Sequence, residues 1–256
     1  MNTTNKADNT ALNKEELIIS DRLRKMRMSG MADAFEAQVQ DPNADLSSFM
    51  ERLTALVDAE WQLRYDKKFK RYLKNAHLRY PAADLDETIY DPARKLDTDT
   101  IQRLATCEWI EERKNLLITG MSSSGKTYLG NALCICALRK FMTVRYYRAN
   151  LLILQMEQEQ MKGTYLNFLD SLCKVDLLVI DDFGLMELDL EKCRNLFDLI
   201  DAREGRKSML VISQFPVKSW FDFFKDHTYA DAFMQRLTDH HNSYRLEMNG
   251  ISMRER

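Results

Sequence analysis

Apolar positions fall into two patterns along the chain. From about residue 15 to 80 they follow helical spacing. Leu46, Phe49, Met50, Leu53, Val57 and Trp61 recur at steps of three and four, and Tyr65, Phe69, Tyr72, Leu73 and Ala76 continue the rule. From about residue 101 onward, short apolar runs (NLLITG, TVRYY, DLLVIDD, SMLVIS) alternate with longer helical segments. That alternation predicts βαβ units around a parallel sheet. Between the two, residues 81–100 (PAADLDETIYDPARKLDTDT) carry two prolines and many acids, which predicts an irregular linker. The expected organisation is a polar, disordered leader over 1–14, a small all-α N-terminal domain over 15–80, the linker over 81–100, and an α/β domain over 101–256.

Composition supports the helical reading. Glycine and proline number 8 and 4, which disfavours a sandwich or a turn-rich barrel. The five cysteines include no CxxC pair, and Cys134 and Cys136 sit in the apolar run LCICAL, so buried reduced thiols and a cytoplasmic location are expected. The first twenty residues lack the apolar core of a signal peptide, and no apolar stretch approaches membrane-spanning length, so no membrane partner is expected.

The strongest local motif is Gly120-Met121-Ser122-Ser123-Ser124-Gly125-Lys126-Thr127, which fits G-x-x-x-x-G-K-[ST]. A buried strand, Leu116 to Ile118, precedes it and a helix from Tyr128 follows. Its backbone N–H groups would cradle phosphates at a helix N-terminus. Lys126 would reach the β and γ phosphates of ATP, and the Thr127 hydroxyl would ligate Mg²⁺. A second strand, Asp176 to Ile180, ends in paired acids. Buried adjacent carboxylates are costly without a cation or proton to receive. Asp181 is suited to hold Mg²⁺, directly or through water, and Asp182 to polarise the attacking water. A third strand ends in Ser213 and Gln214. Either could orient that water, the alternative being an ordinary strand end before Pro216.

With these elements in order, the sequence resembles the AAA+ ATPases of the DnaC/IstB type, and in particular the IstB-like helper ATPases of bacterial insertion sequences. The resemblance runs through LRKMRMSGMADAF (23–35), FMERLTALVDAEWQLRYDKKFKRYLKNAHL (49–78), LATCEWIEERKNLLITG (104–120), LLVIDDFGL (177–185) and the tail (231–256). It implies a P-loop AAA+ fold, with the central parallel sheet flanked by helices, and an oligomeric ATPase with shared ATP sites. It also implies binding of target duplex DNA and activation of a separately encoded transposase; DNA-stimulated hydrolysis is expected to drive disassembly, and to be slow because Asp182 is one methylene shorter than Glu. Arg236, in MQRL, matches the arginine finger of the family; the structural alternative is a surface Arg on a helix. Arg254 matches a terminal Arg that would contact nucleotide or a neighbour. The chain departs from the family in three places. MSSS stands where relatives carry proline and a further glycine, Asp182 where many AAA+ proteins place Glu, and Gln235 where Asp is common.

The net charge of −2 (37 basic residues against 39 acidic) argues against nucleic acid only in bulk. Residues 64–79 hold seven Lys or Arg and one Asp. At 100° per residue, Arg64, Lys67, Lys68, Arg71 and Lys74 share one face. Arg22, Arg24, Lys25 and Arg27 form a second cluster. These nine are the candidate DNA phosphate contacts, against the alternative of a solvated basic face. Two other functions remain open on the sequence: a DnaC-like replicative helicase loader, and an ATP-gated DNA scaffold with negligible turnover.

Overall fold

The computed structural model of the protein describes residues 12–90, 94, 96–239 and 241–248. The chain divides into two compact units, residues up to Lys70 and residues from Arg71.

The first unit is helical: α1 (Lys14–Lys25), α2 (Ser29–Gln40) and the start of α3 (Phe49–Ala76). A capping box opens α1: the Asn13 side chain accepts the Glu15 and Glu16 N–H groups, and the Glu16 carboxylate accepts the Asn13 N–H. Arg24 ties α1 to α2 through Asp33 (2.7 Å) and Glu36 (3.0 Å). The residue preceding α2, Met28, offers no side-chain cap. Glu60 of α3 substitutes for it, accepting the Gly30 N–H at 2.8 Å and the Met31 N–H at 3.2 Å. Residue 30 must be glycine for this approach, since a Cβ there would lie 2.8 Å from the Ala59 carbonyl oxygen. Burial disfavours the charge on Glu60. The Arg64 guanidinium at 2.6 Å and the two N–H groups outweigh that, holding the carboxyl below its ordinary value. The two apolar runs between residues 46 and 76 fare differently. Ala76 is fully buried and Tyr72 packs edge-on to Phe141, whereas Leu46, Phe49, Met50, Leu53, Val57 and Trp61 are all exposed.

The second unit contains α4 (Thr98–Ala105), α5 (Glu108–Glu111), β1 (Asn115–Gly120), α6 (Lys126–Arg139), β2 (Val144–Arg148), α7 (Ala149–Met161), α8 (Tyr165–Lys174), β3 (Leu177–Phe183), α9 (Leu190–Arg203), β4 (Ser208–Ser213), α10 (His227–Thr238) and β5 (Ser243–Met248). The five strands form one parallel sheet in the order β2-β3-β4-β1-β5. Helical crossovers leave the inner strands dry on both sides, so Leu116, Leu117, Ile118, Leu177, Leu178 and Val179 are fully buried. Leu117, Leu178, Ile180 and Val211 join Leu152 and Met156 of α7, Leu196 and Leu199 of α9, and Phe233 of α10 in one core. β5 is the strand that the apolar-run reading does not isolate. It is an edge strand in which buried Leu246 and Met248 alternate with exposed Arg245 and Glu247, so it carries no continuous apolar run. Among the described residues no helix is long and apolar enough to cross a membrane.

Candidate functional site

The carboxyl ends of β1, β3 and β4 lie side by side, and a cavity of about 460 Å³ opens there. Ser122, Ser123, Gly125, Lys126, Thr127 and Tyr128 line it from the phosphate loop, Asp181 and Asp182 from β3, and Ser213 and Gln214 from β4 and its end. The loop turns through two left-handed residues, Ser123 (φ 63°) and Gly125 (φ 87°), the second directly preceding α6. Gly125 takes that conformation freely; Ser123 holds it at a steric cost. Lys126 is buried, and its Nζ donates to the Met121 carbonyl at 2.6 Å. Burial lowers its pKa, against the opposing pull of Asp181 and Asp182. Three loop residues read as cofactor-binding do not line the cavity. Gly120 ends β1 against Met248, Met121 is exposed with its carbonyl holding Lys126, and Ser124 is buried with its carbonyl accepting from Arg94 at 2.8 Å.

The paired acids owe their aim to an irregularity in the sheet. The β3–β4 register slips by one residue between Ile180 and Phe183, and Asp182 sits at φ 58° within the slip. Asp181 is 1% exposed and accepts from the Tyr146 hydroxyl at 2.6 Å and the Asp182 N–H at 2.8 Å. Burial and the neighbouring Asp181 charge push the Tyr146 phenol up, so it remains a donor. Asp182 accepts both Nε (3.0 Å) and Nη2 (2.8 Å) of Arg148, with Arg79 at 3.9 Å. That hydrogen-bonded pairing raises the Arg148 pKa. The two strand-end candidates differ. The Ser213 hydroxyl donates to the Phe183 carbonyl at 2.7 Å and accepts the Phe215 N–H at 3.1 Å, while Gln214 is half-buried along the cavity wall.

The sequence reading missed several residues around this cavity. Arg79, Tyr80, Glu87, Thr88, Ile89 and Arg94 form a wall of it. The Asp84 N–H donates to the Tyr128 hydroxyl at 3.1 Å and the Tyr80 N–H to the Asn131 side chain at 3.1 Å, which fixes this segment onto α6. No periodicity in the segment signals that role. Tyr146 and Arg148 were missed as well, because their reach to the acids depends on β2 lying beside β3, which only the order of the strands in the sheet sets.

Arg236, Arg71 and Lys74 are not among the residues lining the cavity. Arg236, in the last turn of α10, pairs with Asp201 of α9 (3.0 Å) and with Glu204 just after it (3.1 Å), its guanidinium 4.8 Å from the Phe197 ring centre. In the first unit Arg22, Arg24, Lys25, Arg27, Arg64, Lys67 and Lys68 are exposed, as are Arg71 and Lys74 in the second. Arg24, Lys25 and Arg64 carry intrachain carboxylate partners. Arg254 lies outside the described residues.

A five-stranded parallel sheet in this order, with a phosphate loop after β1 and paired acids ending β3, defines a P-loop ATP-binding protein of the AAA+ fold. Solved structures agree on the fold. A DnaC helicase loader superimposes with a TM-score of 0.53 at 20% identity over 67% of this chain and 99% of that one. DnaA bound to AMPPCP and single-stranded DNA gives 0.54 at 19% identity, over 67% and 51% respectively. Residues 21–256 match the IstB-like ATP binding protein family, and the chain belongs to it. A putative insertion sequence ATP-binding protein of Sinorhizobium fredii is 38% identical over 232 residues, 91% of this chain and 92% of its own. The putative ATP-binding protein of insertion sequence IS1162 from Pseudomonas fluorescens is 37% identical over 195 residues, 76% and 84%.

Proposed function

We propose that the protein is an ATP-driven transposition helper: ATP binding assembles it on duplex DNA, the assembly offers that target to a transposase, and hydrolysis dismantles it. The observation that carries the reading is the convergence of Lys126, Asp181, Asp182 and Gln214 on one cavity beside the phosphate loop. Lys126 exchanges its Met121 carbonyl for β and γ phosphate oxygens, which return the charge partner that burial denies it. Thr127 and Asp181 line the same cavity with a hydroxyl and a carboxylate, the hard oxygen donors that suit Mg²⁺. Held there with the nucleotide, that ion would neutralise charge building on the phosphates.

Asp182 acts on the attacking water once Arg148, which it accepts from at 2.8 and 3.0 Å, releases it. Ser213 is committed to backbone partners, and Gln214 is the group that orients the water. Arg236 faces α9 rather than its own cavity, which supports a role at a neighbour's γ-phosphate after it leaves Asp201 and Glu204. The exposed basic residues of α1 and α3 supply sequence-tolerant phosphate contacts. The insertion-sequence names of relatives matching over most of the chain favour a helper over a helicase loader.

Electron microscopy with DNA and ATP tests the cycle. Lys126→Ala is expected to lose ATP-stimulated assembly, and Asp182→Asn to assemble and persist. Assembly by Lys126→Ala at the wild-type level, or rapid clearance of Asp182→Asn, overturns the reading.

A further inference from the structure

Two guanidinium groups approach Asp182, and one of them lines the cavity. Arg148 spends Nε and Nη2 on the carboxylate, at 3.0 and 2.8 Å, and is not part of the lining. Arg79 is part of it, together with Lys126, Asp181 and Asp182. Its Nη1 lies 3.9 Å from the same Asp182 oxygen, an ion-pair distance beyond hydrogen-bond reach. Among the described residues no hydrogen bond or other ion pair engages the Arg79 guanidinium, whose carbon stands 5.6 Å from the Tyr80 ring centre. We propose that Arg79 binds the γ-phosphate of ATP within its own chain, and that this contact lets the site tell ATP from ADP. The proposal rests on the reading of this cavity as the ATP site.

The backbone beside Arg79 is tied to the phosphate loop. After α3 ends at Ala76, His77 turns left-handed (φ 54°) and the chain comes back against α6. There the Tyr80 N–H donates to the Asn131 side chain at 3.1 Å. Asn131, fully buried in α6, donates in turn to the Thr127 carbonyl at 2.6 Å. The Tyr80 ring also lies 6.0 Å from that of Tyr128. Arg79 is thus anchored at its base to the helix turn that carries Lys126 and Thr127, while its tip stays available. Such an arrangement lowers the ordering cost of gripping a ligand.

Charge calls for a second cation at this end of the cavity. Lys126 faces two carboxylates, Asp181 and Asp182, and a triphosphate stays anionic even with Mg²⁺ bound. The other arginine of the wall, Arg94, is 5% exposed and donates to the Ile89 and Ser124 carbonyls, so it is committed to the fold. Arg79 gives up little on leaving Asp182, because a 3.9 Å pairing of half-exposed groups is weak and Arg148 remains on the carboxylate. Its planar fork can meet two oxygens of one phosphoryl group. ADP lacks the γ-phosphoryl group, so a cation beside the acid that ends β3 favours the triphosphate.

The test is equilibrium binding to the full-length chain with Mg²⁺ and without DNA, in which ADP or β,γ-methylene ATP displaces a fluorescent ADP. Arg79→Ala should weaken binding of the ATP analogue at least ~10-fold. Its ADP binding should match wild type, which also shows that the variant is folded. Arg79→Lys should recover part of the loss, since it restores the charge without the fork. The loss should persist in an Asp182→Asn background, because a direct phosphate contact does not need the Asp182 charge. A loss that vanishes in that background makes Arg79 a neutraliser of Asp182 and overturns the proposal. Equal weakening of both nucleotides by Arg79→Ala, or no weakening of either, overturns it too. A wild-type chain that binds neither nucleotide overturns instead the reading of the cavity as the ATP site, so the two failures are distinguishable.

Discussion

Ser123 illustrates how a single side chain can set the energy of the phosphate loop. At φ 63° it occupies a left-handed conformation that costs a non-glycine residue about 1–2 kcal/mol. Glycine removes that cost but is freer in the unfolded chain by about 0.5–1 kcal/mol. The balance favours Ser123→Gly by under ~1 kcal/mol, which thermal unfolding should register as a rise in Tm of ~2 °C. A fall in Tm would mean that the serine side chain makes a contact worth more than the strain. Asp182 shares the left-handed geometry, and there the unusual backbone aims a carboxylate at the cavity wall. The phosphate loop and the paired acids were readable from the sequence because each motif is local. Arg148 was not, since its partner lies 34 residues away and only the sheet brings the two together.

At the scale of elements, the start of α2 depends on a residue of α3. The Glu60 carboxylate caps α2 from a position 6% exposed, so its loss strands two N–H groups and the Arg64 guanidinium. Glu60→Gln should cost about 1–3 kcal/mol, measured as thermal unfolding of the helical unit near neutral pH. The carboxyl is held below its unfolded value of 4.5. Its contribution is therefore complete above about pH 4.5 and lost as pH falls through the lower folded value. Wild type and Glu60→Gln should converge in stability over that acid range. If the gap between them stays constant down to the folded value, the carboxylate is not the capping group. Helical periodicity made α3 legible as a helix, but periodicity records that a face is apolar and not what covers it. The half of α3 that reads most plainly as a packing face is the exposed one.

At the scale of the whole molecule, the placement of Arg236 makes a prediction about assembly. Its guanidinium faces α9 in its own chain, outside the lining of its own cavity. If it completes a neighbour's site, Arg236→Ala should lower hydrolysis by ~10³ or more while leaving nucleotide affinity intact. Mixing Lys126→Ala chains with Arg236→Ala chains should then restore part of the activity, because some sites would draw both groups from unmutated positions. Mixtures as inactive as their components would make Arg236 a structural partner of Asp201, Glu204 and Phe197.

The sequence by itself determined the parallel α/β sheet, the helical N-terminal region, the phosphate loop and the paired acids. Each is written in a short stretch whose periodicity or residue spacing dictates a local conformation. Tertiary structure alone decided that Arg79, Tyr80, Glu87, Thr88, Ile89 and Arg94 wall the cavity, that Arg148 holds Asp182, that Ser213 is spent on backbone while Gln214 is not, and that one apolar face of α3 lies open. Those facts depend on which distant groups meet once the strands are ordered. Burial and hydrogen-bond partners are properties of that meeting, and no window along the chain contains them.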